Sequence, residues 1–212
     1  MSTLEFILKK YNITFDDSTR MPIEIPDVGR KQFTMVLAEL NFKVAVEVGV
    51  CDGIYSEVIA RNNPQIRLYS VDPWQPLEDY KDYQLQSTFT KMYAGAKERL
   101  EKYPNCQMVR KTSMEAVKDF ADESVDFVYI DANHKFEFVI EDLAHWSKKL
   151  KRGGIMAGHD YINSVNKNIQ VLKAVHAWTN VYKIRPWFVL GTNEMVTGRI
   201  RDRSRSWMWI KT

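Results

Sequence analysis

The chain of 212 residues is long enough to bury a substantial core and favours a single domain. Hydrophobic residues make up 45% of it and charged residues 27%, a composition that excludes disordered and fibrous proteins. The net charge of +3 is too small to be the electrostatic footprint of a nucleic-acid-binding protein, so we expect no nucleic-acid partner.

Cysteine use and hydropathy indicate the compartment. Cys51 and Cys106 are far apart and form no CxxC motif, which fits a reducing environment. No apolar stretch approaches the ~20 residues of a membrane span, and the first residues lack the pattern of a signal peptide. The sequence therefore predicts a cytoplasmic protein with no membrane partner.

Apolar periodicity predicts a short N-terminal helix over residues 4–11, a polar connector to about Gly29 and a helix over residues 33–40. Beyond that point strand-like and helix-like segments alternate. The predicted strands are 44–48, 68–71, 107–109, 127–130 and 154–157. The predicted helices are 54–61, 85–103, 114–120, 136–150 and 165–178. Such alternation favours an α/β fold with a largely parallel sheet.

The C-terminal part breaks this alternation, because residues 181–190 and 206–211 are strand-like with no helix between them. We expect these segments to form an antiparallel pair at one edge of the sheet. The arginine-rich run between them, residues 199–205, is interpreted as a solvated loop.

The first strand is followed by a glycine-containing turn with an acid at the strand end, formed by Glu47, Gly49 and Gly53. Glycines allow close approach of a ligand to the backbone, and the next helix offers free N–H groups. A dinucleotide-binding fingerprint would need glycine at positions 51 and 54, which are occupied by Cys51 and Ile54. The carboxylate of Glu47 would also repel the phosphates of a dinucleotide. The alternative is a tight turn with no ligand.

Asp72 ends the second predicted strand, about 20 residues beyond the glycine turn, a spacing typical of an acid that accepts both ribose hydroxyls. Asp72-Pro73 is also a common turn pair. Together with Glu47, Asp72 indicates a nucleoside that carries positive charge and no phosphate.

Polar side chains also end two later strands. Asp131 and His134 follow residues 127–130, and His159 and Asp160 follow residues 154–157. Carboxyl ends of parallel strands share one rim, so Asp131, His159 and Asp160 are expected to form a divalent-cation site. The alternative is a structural role, with Asp131 capping a helix and His159 bonding to a backbone carbonyl.

These motifs, with Thr112-Ser113-Met114-Glu115 after the third strand, resemble class I S-adenosylmethionine-dependent methyltransferases over about residues 30–212. The segments VDFVYIDANHKFE and GGIMAGHDY are most similar to the branch of the macrocin and catechol O-methyltransferases. In those relatives the fifth-strand pair is acidic or acid–amide, whereas here its first member is His159.

The resemblance implies a Rossmann-like, seven-stranded, mostly parallel sheet with a C-terminal antiparallel strand and helices on both faces. It divides the chain into an N-terminal helix and connector, 1–29, and a methyltransferase domain, 30–212. The residues that it places around S-adenosylmethionine are Glu47, Gly49, Gly53, Asp72, Ser113, Met114 and Asp131.

The same resemblance implies O-methylation of a small-molecule acceptor, such as a sugar, a catechol or a polyketide-like hydroxyl. His134 is the expected general base, assisted by Asp131, while Asp131, His159 and Asp160 would hold Mg²⁺ or Mn²⁺. A nitrogen acceptor, a nucleotide-dependent oxidoreductase and a non-catalytic cofactor-binding domain are the alternatives. The sequence is compatible with a homodimer.

One aromatic-rich segment after Asp72 has two interpretations, packing of a helix onto the sheet or a lid that faces the substrate. Its members are Trp74, Tyr80, Tyr83, Phe89 and Tyr93.

Overall fold

The computed structural model describes residues 1–76, 85–166 and 168–212. The strands in this part of the chain are β1 (Ile23–Ile25), β2 (Val44–Val48), β3 (Arg67–Val71), β4 (Cys106–Val109), β5 (Val125–Ile130), β6 (Leu150–Tyr161), β7 (Trp187–Leu190) and β8 (Arg205–Ile210). The helices are α1 (Thr3–Lys10), α2 (Arg30–Glu39), α3 (Ile54–Asn62), α4 (Gln86–Leu100), α5 (Ser113–Ala116), α6 (Phe136–Lys149) and α7 (Val171–Val181).

All of these strands belong to one sheet with the order β1-β7-β8-β6-β5-β2-β3-β4. Neighbouring strands are parallel except β8, which is antiparallel to both β6 and β7. The carboxyl ends of β2, β3, β5 and β6 therefore lie along one rim. The expected α/β class with a mostly parallel sheet and a C-terminal antiparallel strand is confirmed.

The sheet has one strand more than the seven expected. β1 pairs in parallel with β7, so β7 and β8 are not the edge of the sheet. β1 was not predicted, because its three residues stand between Pro22 and Pro26 in a segment interpreted as a connector.

The boundaries near the C-terminus also differ from expectation. Helix α7 starts at Val171 and continues through Val181, a residue that the sequence had suggested as the start of a strand. Strand β7 begins only at Trp187, directly after Pro186, since proline lacks the N–H that a ladder requires. Val181 and Ile184 are apolar and β-branched, as strand residues often are, so the predicted start of this strand at residue 181 is wrong.

Helices cover both faces of the sheet, as expected. One core cluster packs α1, α2 and α3 against one face, with Ile7, Phe33, Leu37 and Ile59 fully or almost fully buried. The other packs α6 and α7 on the opposite face around Trp146 and other buried residues. Strand β5 is buried along its whole length, which explains its continuous apolar run.

Among the described residues, no helix combines the length and apolar character that crossing a membrane would require.

Candidate functional site

A cavity of about 330 Å³ opens at the rim where β2, β3 and β5 end. Five of the residues expected around a ligand line it: Gly49, Asp72, Ser113, Met114 and Asp131. The rest of its wall is largely apolar and includes Phe89, Met92 and Phe138. Glu47 and Gly53, which were also expected there, do not line the cavity.

Gly49 brings the ends of β2 and β5 into direct contact. Its φ is +89°, and a Cβ built on it would lie 2.1 Å from the carbonyl oxygen of Asp131. A side chain at this position would therefore displace the backbone that carries Asp131. Gly53, four residues later, also has a positive φ (+82°) and is the N-cap residue of α3.

Asp72 organises the turn that follows Gly49. Its Oδ2 accepts hydrogen bonds from the backbone N–H groups of Val50 (2.9 Å) and Cys51 (3.1 Å). Its Oδ1 accepts one from the N–H of Trp74 at 2.7 Å. Burial raises the pKa of Asp72 in spite of these bonds. Because each carboxylate oxygen has two lone pairs, Asp72 keeps acceptor capacity on its cavity side.

Glu47 lies beneath the turn, where only 1% of the residue is exposed. It accepts a hydrogen bond from the Ser56 hydroxyl, whose oxygen is 2.6 Å from that of Ser70. Burial raises the pKa of Glu47 to about 8. Its carboxylate supports the loop from inside the protein and does not reach the cavity.

A side-chain relay crosses from α6 to α5 at another part of the cavity wall. Trp146 donates its indole N–H to the Ser113 hydroxyl oxygen at 2.9 Å, and Ser113 donates its own proton to Asp142 Oδ1. Burial raises the pKa of Asp142 to about 7. Sequence reasoning missed Asp142, although an acid three residues after Val139, on the buried face of α6, was a detectable signal.

A compact polar cluster adjoins the cavity and shares Asp131 with it. The Nε2 of His134 is 3.0 Å from Asp160 Oδ2 and 3.8 Å from Asp131 Oδ1. The Nδ1 of His159 is 3.5 Å from Asp160 Oδ2 and 3.7 Å from Asp131 Oδ1. The structure thus brings together the groups that the two strand ends were expected to supply.

Arg30, at the start of α2, is a further member that sequence reasoning missed. Its Nη1 is 2.9 Å from Asp131 Oδ2, and its guanidinium lies over the Tyr55 ring, 5.0 Å from the centroid. The backbone N–H of Arg30 is capped by Asp202 at 2.6 Å. The arginine is close to Asp131 only in three dimensions, so its spacing in the sequence carried no signal.

The charges of this cluster are mutually dependent. Burial acts to lower the pKa of His134, but bonding to Asp131 and Asp160 outweighs it and raises the pKa to about 10. Burial would raise the pKa of Asp160, yet its bonds to His134 and His159 hold that pKa well below the usual range. With Arg30 and a protonated His134, the two carboxylates are already neutralised.

The donor set also fits a divalent cation. Ligand atoms of Asp131, His134 and Asp160 all lie within 4.8 Å of one another, and the mixed carboxylate and imidazole donors suit Mn²⁺ or another transition metal better than Mg²⁺. His134 therefore stands as close to the carboxylates as His159 does. A cation here would take the place of the proton that His134 carries.

The aromatic segment contributes to packing and to the cavity wall, while its role as a lid stays a prediction. Trp74 is fully buried, donates its indole N–H to the Cys51 carbonyl at 2.7 Å and packs edge-on against Tyr93. Phe89 lines the cavity. Tyr80 and Tyr83 lie outside the described residues.

The arginine-rich run was interpreted as solvated, and this is wrong for its last member. Arg205 is 7% exposed and pairs with Glu24 of β1 at 2.5 Å, so it joins the last strand to the first.

Comparison with protein families gives a match to a methyltransferase domain over residues 46–161, which is more than half of the chain. A curated relative, "Uncharacterized protein y4gI" of Sinorhizobium fredii, is 24% identical over 119 residues. That alignment covers 54% of this chain and 13% of the relative, so the chain spans a small part of the relative's length.

Solved structures with the same fold include enzymes that are described as catalysing different reactions. An O-methyltransferase from Bacillus cereus in complex with SAH is 13% identical, with a TM-score of 0.58 over 99% of this chain and 90% of the other. The O-methyltransferase TomG from Streptomyces achromogenes in complex with SAM is 12% identical, with a TM-score of 0.60 over 86% and 79%. Precorrin 8w decarboxylase from Methanobacterium thermoautotrophicum is 12% identical, with a TM-score of 0.53 over 84% and 88%. At these identities the likeness shows the fold alone.

The contact between Gly49 and Asp131 leads to a prediction about stability. Gly49→Ala should lower the free energy of unfolding by roughly 2–4 kcal/mol, of which about 1 kcal/mol is backbone strain and the rest the clash with the Asp131 carbonyl. Chemical denaturation monitored by circular dichroism measures this change.

Gly198→Ala is the matched control, because Gly198 also has a positive φ (+82°) but would place its Cβ more than 4 Å from any other group. It should cost only the strain, about 1 kcal/mol. Equal losses in the two variants would show that the strand ends can separate without penalty.

Proposed function

The chain belongs to the methyltransferase domain family, and we propose that it transfers the methyl group of S-adenosylmethionine to a hydroxyl oxygen of a small molecule. The observation that carries this proposal is the double position of Asp131, which lines the cavity and belongs to the polar cluster. A methyl donor in the cavity and an acceptor at the cluster would meet at this residue.

The charge of the cavity supports a cationic nucleoside as the ligand. Four acids are among its described lining residues, and none of those residues is Lys, Arg or His: the acids are Asp72, Asp131, Glu141 and Asp142. Such a wall disfavours phosphate groups and stabilises a sulfonium. We assign the ribose hydroxyls to Asp72 and the adenine to Ser113 and Met114, with Gly49 giving the ligand room beside the backbone.

Glu47 and Gly53 have indirect roles in this proposal. Both lie behind the cavity wall, where Gly53 begins α3 and Glu47 bonds to Ser56 of the same helix. They fix the shape of the loop that the donor contacts.

His134 is the proposed general base. The donor supplies a methyl group that is already activated as a sulfonium, so the protein has to orient the acceptor oxygen and remove its proton. His134 stands next to Asp131 at the boundary of the cavity, and its Nε2 would take that proton. Bonding to Asp131 and Asp160 keeps His134 protonated in the free protein. Another cation that paired with these carboxylates would lower the pKa of His134, so that the ring could release its proton to solvent and then act as a base.

A divalent cation is one such partner. Asp131, His159 and Asp160 are the residues proposed to hold Mg²⁺ or Mn²⁺, which would lower the pKa of the acceptor hydroxyl when bound. The acceptor hydroxyl would belong to a sugar, a catechol or a polyketide-like ring.

Asp72 provides a test of donor binding. Asp72→Ala should weaken S-adenosylhomocysteine binding by on the order of 1.5–3 kcal/mol, because a charge-assisted contact to the ribose is lost. Isothermal titration calorimetry measures the affinity, and Asp52→Ala, which removes a half-exposed acid of the same loop, should leave it unchanged.

The 2′-deoxy analogue separates the ribose contact from the role of Asp72 in holding the loop. It should bind wild type more weakly than S-adenosylhomocysteine, whereas Asp72→Ala should bind both compounds alike. A deoxy penalty that persists in the variant would mean that another residue holds the ribose.

For the base, we expect His134→Ala to lower kcat by about 10²–10⁴ while the affinity for S-adenosylhomocysteine stays within a factor of about two. His145→Ala, on the exposed side of α6, is the control and should turn over normally. Normal turnover of His134→Ala with its acceptor would move the base elsewhere.

Removal of metal tests the cation site separately. Dialysis against EDTA should abolish most of the activity, Mn²⁺ or Mg²⁺ should restore it, and Asp160→Ala should lose the bound metal in elemental analysis. If His134→Ala loses the metal as well, His134 is a ligand and not the base. Full activity after EDTA, with no metal in the purified protein, would leave the cluster as a hydrogen-bond network.

A further inference from the structure

Asp142 is a buried carboxylate on the wall of the cavity with only one of its oxygens in use. The residue is 4% exposed, and its Oδ1 accepts the proton of Ser113. Within residues 1–76, 85–166 and 168–212, Oδ2 accepts no hydrogen bond from the protein and no cation pairs with this carboxylate. Because Asp142 lines the cavity, a donor that occupies the cavity could bond to Oδ2 and offset the cost of burying the carboxylate.

The hydrogen bonds from Trp146 to Ser113 and from Ser113 to Asp142 determine that Asp142 offers the cavity a hydrogen-bond acceptor. An indole N–H can only donate, so the Ser113 oxygen is the acceptor for Trp146 and its proton must point to Asp142. Oδ1 is thereby engaged, and Oδ2 remains as an acceptor. A ligand N–H opposite Oδ2 would in turn stabilise the ionised form of the carboxylate.

The cavity that Asp142 lines also has apolar side chains beside the relay. Met114 follows Ser113 directly, Phe138 lies one helical turn before Asp142 on α6, and both line the same cavity. The acceptor oxygen thus lies in the part of the cavity where Ser113 and Met114 are assigned to the base of the donor.

We propose that Asp142 selects adenine as the base of the methyl donor by accepting a hydrogen bond from its exocyclic amino group. The inference rests on the proposed function, because it takes the donor to be a nucleoside with its base beside Ser113 and Met114. Hypoxanthine carries a carbonyl in place of the amino group and would set one acceptor against another. Sites that hydrogen-bond one such group reject the analogue without it.

The wild-type protein gives the first test. Calorimetric titration is done at a pH above the pKa of about 7 that burial gives Asp142, where the carboxylate is ionised. It should show binding at least about tenfold tighter for S-adenosylhomocysteine than for S-inosylhomocysteine, the value of one hydrogen bond to a charged group. Equal affinity for the two compounds would overturn the role of Asp142. Failure to bind either compound would overturn the proposed function together with this inference.

Asp142→Asn gives the second test, because the hydrogen bond from Ser113 determines the orientation of the asparagine amide group. Ser113 still requires an acceptor, so the amide oxygen faces Ser113 and the amide NH₂ faces the cavity. The preference for the adenine compound should fall at least about tenfold, with S-inosylhomocysteine gaining affinity from the new donor. Asp142→Ala offers neither donor nor acceptor and should bind the two compounds with similar affinity.

Glu137→Gln is the matched control, as Glu137 is an exposed acid on the same helix and does not line the cavity. It should keep the wild-type ratio of affinities, and thermal unfolding verifies that each variant is folded. An unchanged ratio in folded Asp142→Asn would contradict the proposal, while wild-type binding of S-adenosylhomocysteine would still support the proposed function.

Discussion

The approach of β2 to β5 at Gly49 is the constraint on which the site depends. Because Gly49 has no side chain, the backbone of its strand end packs directly on the carbonyl of Asp131. Asp72 of the next strand then holds the following turn by its N–H groups. Three neighbouring strand ends are thus fixed by backbone contacts, and the side chains they carry are set at defined distances around one cavity.

The second organising feature is a group of buried acidic side chains around that cavity. Asp72, Asp142 and Glu47 are buried carboxylates whose pKa values are raised by burial, and Asp131 is compensated by Arg30. Asp72 accepts from backbone N–H groups, Glu47 and Asp142 each accept from a serine hydroxyl, and Asp131 pairs with a guanidinium. These acceptors favour N–H donors at the rim, and Asp131 connects the cavity with the polar cluster.

Much of this could be read from the sequence, because the signals were local. The alternation of apolar runs predicted β2 to β6 and the helices between them. The glycine turn and the strand-end acids are among the motifs of the resemblance to methyltransferases, and the match to that domain family confirms it. His134, His159 and Asp160 lie together, as their positions after two strands predicted. What was missed depends on contacts between distant segments. β1 is a strand only because β7 lies beside it, Arg30 reaches Asp131 across about 100 residues, and Asp142 matters through Ser113 and Trp146. The direct contact assumed for Glu47 failed for a similar reason, since α3 supplies the serine that holds it inside.

The position of β8 has a consequence for the order in which this chain folds during synthesis. β8 is the last strand, yet it lies between β6 and β7, and the same terminal segment contributes Asp202 to the start of α2. Strands β2, β3 and β4 pair with their neighbours in the sequence and can do so soon after they leave the ribosome. β1 and the cap of α2 depend on β7 and on Asp202, so neither can form until residues 187–202 have left the ribosome. A nascent chain that has not yet released these residues can therefore form its glycine turn before Arg30 is held beside Asp131 in the polar cluster.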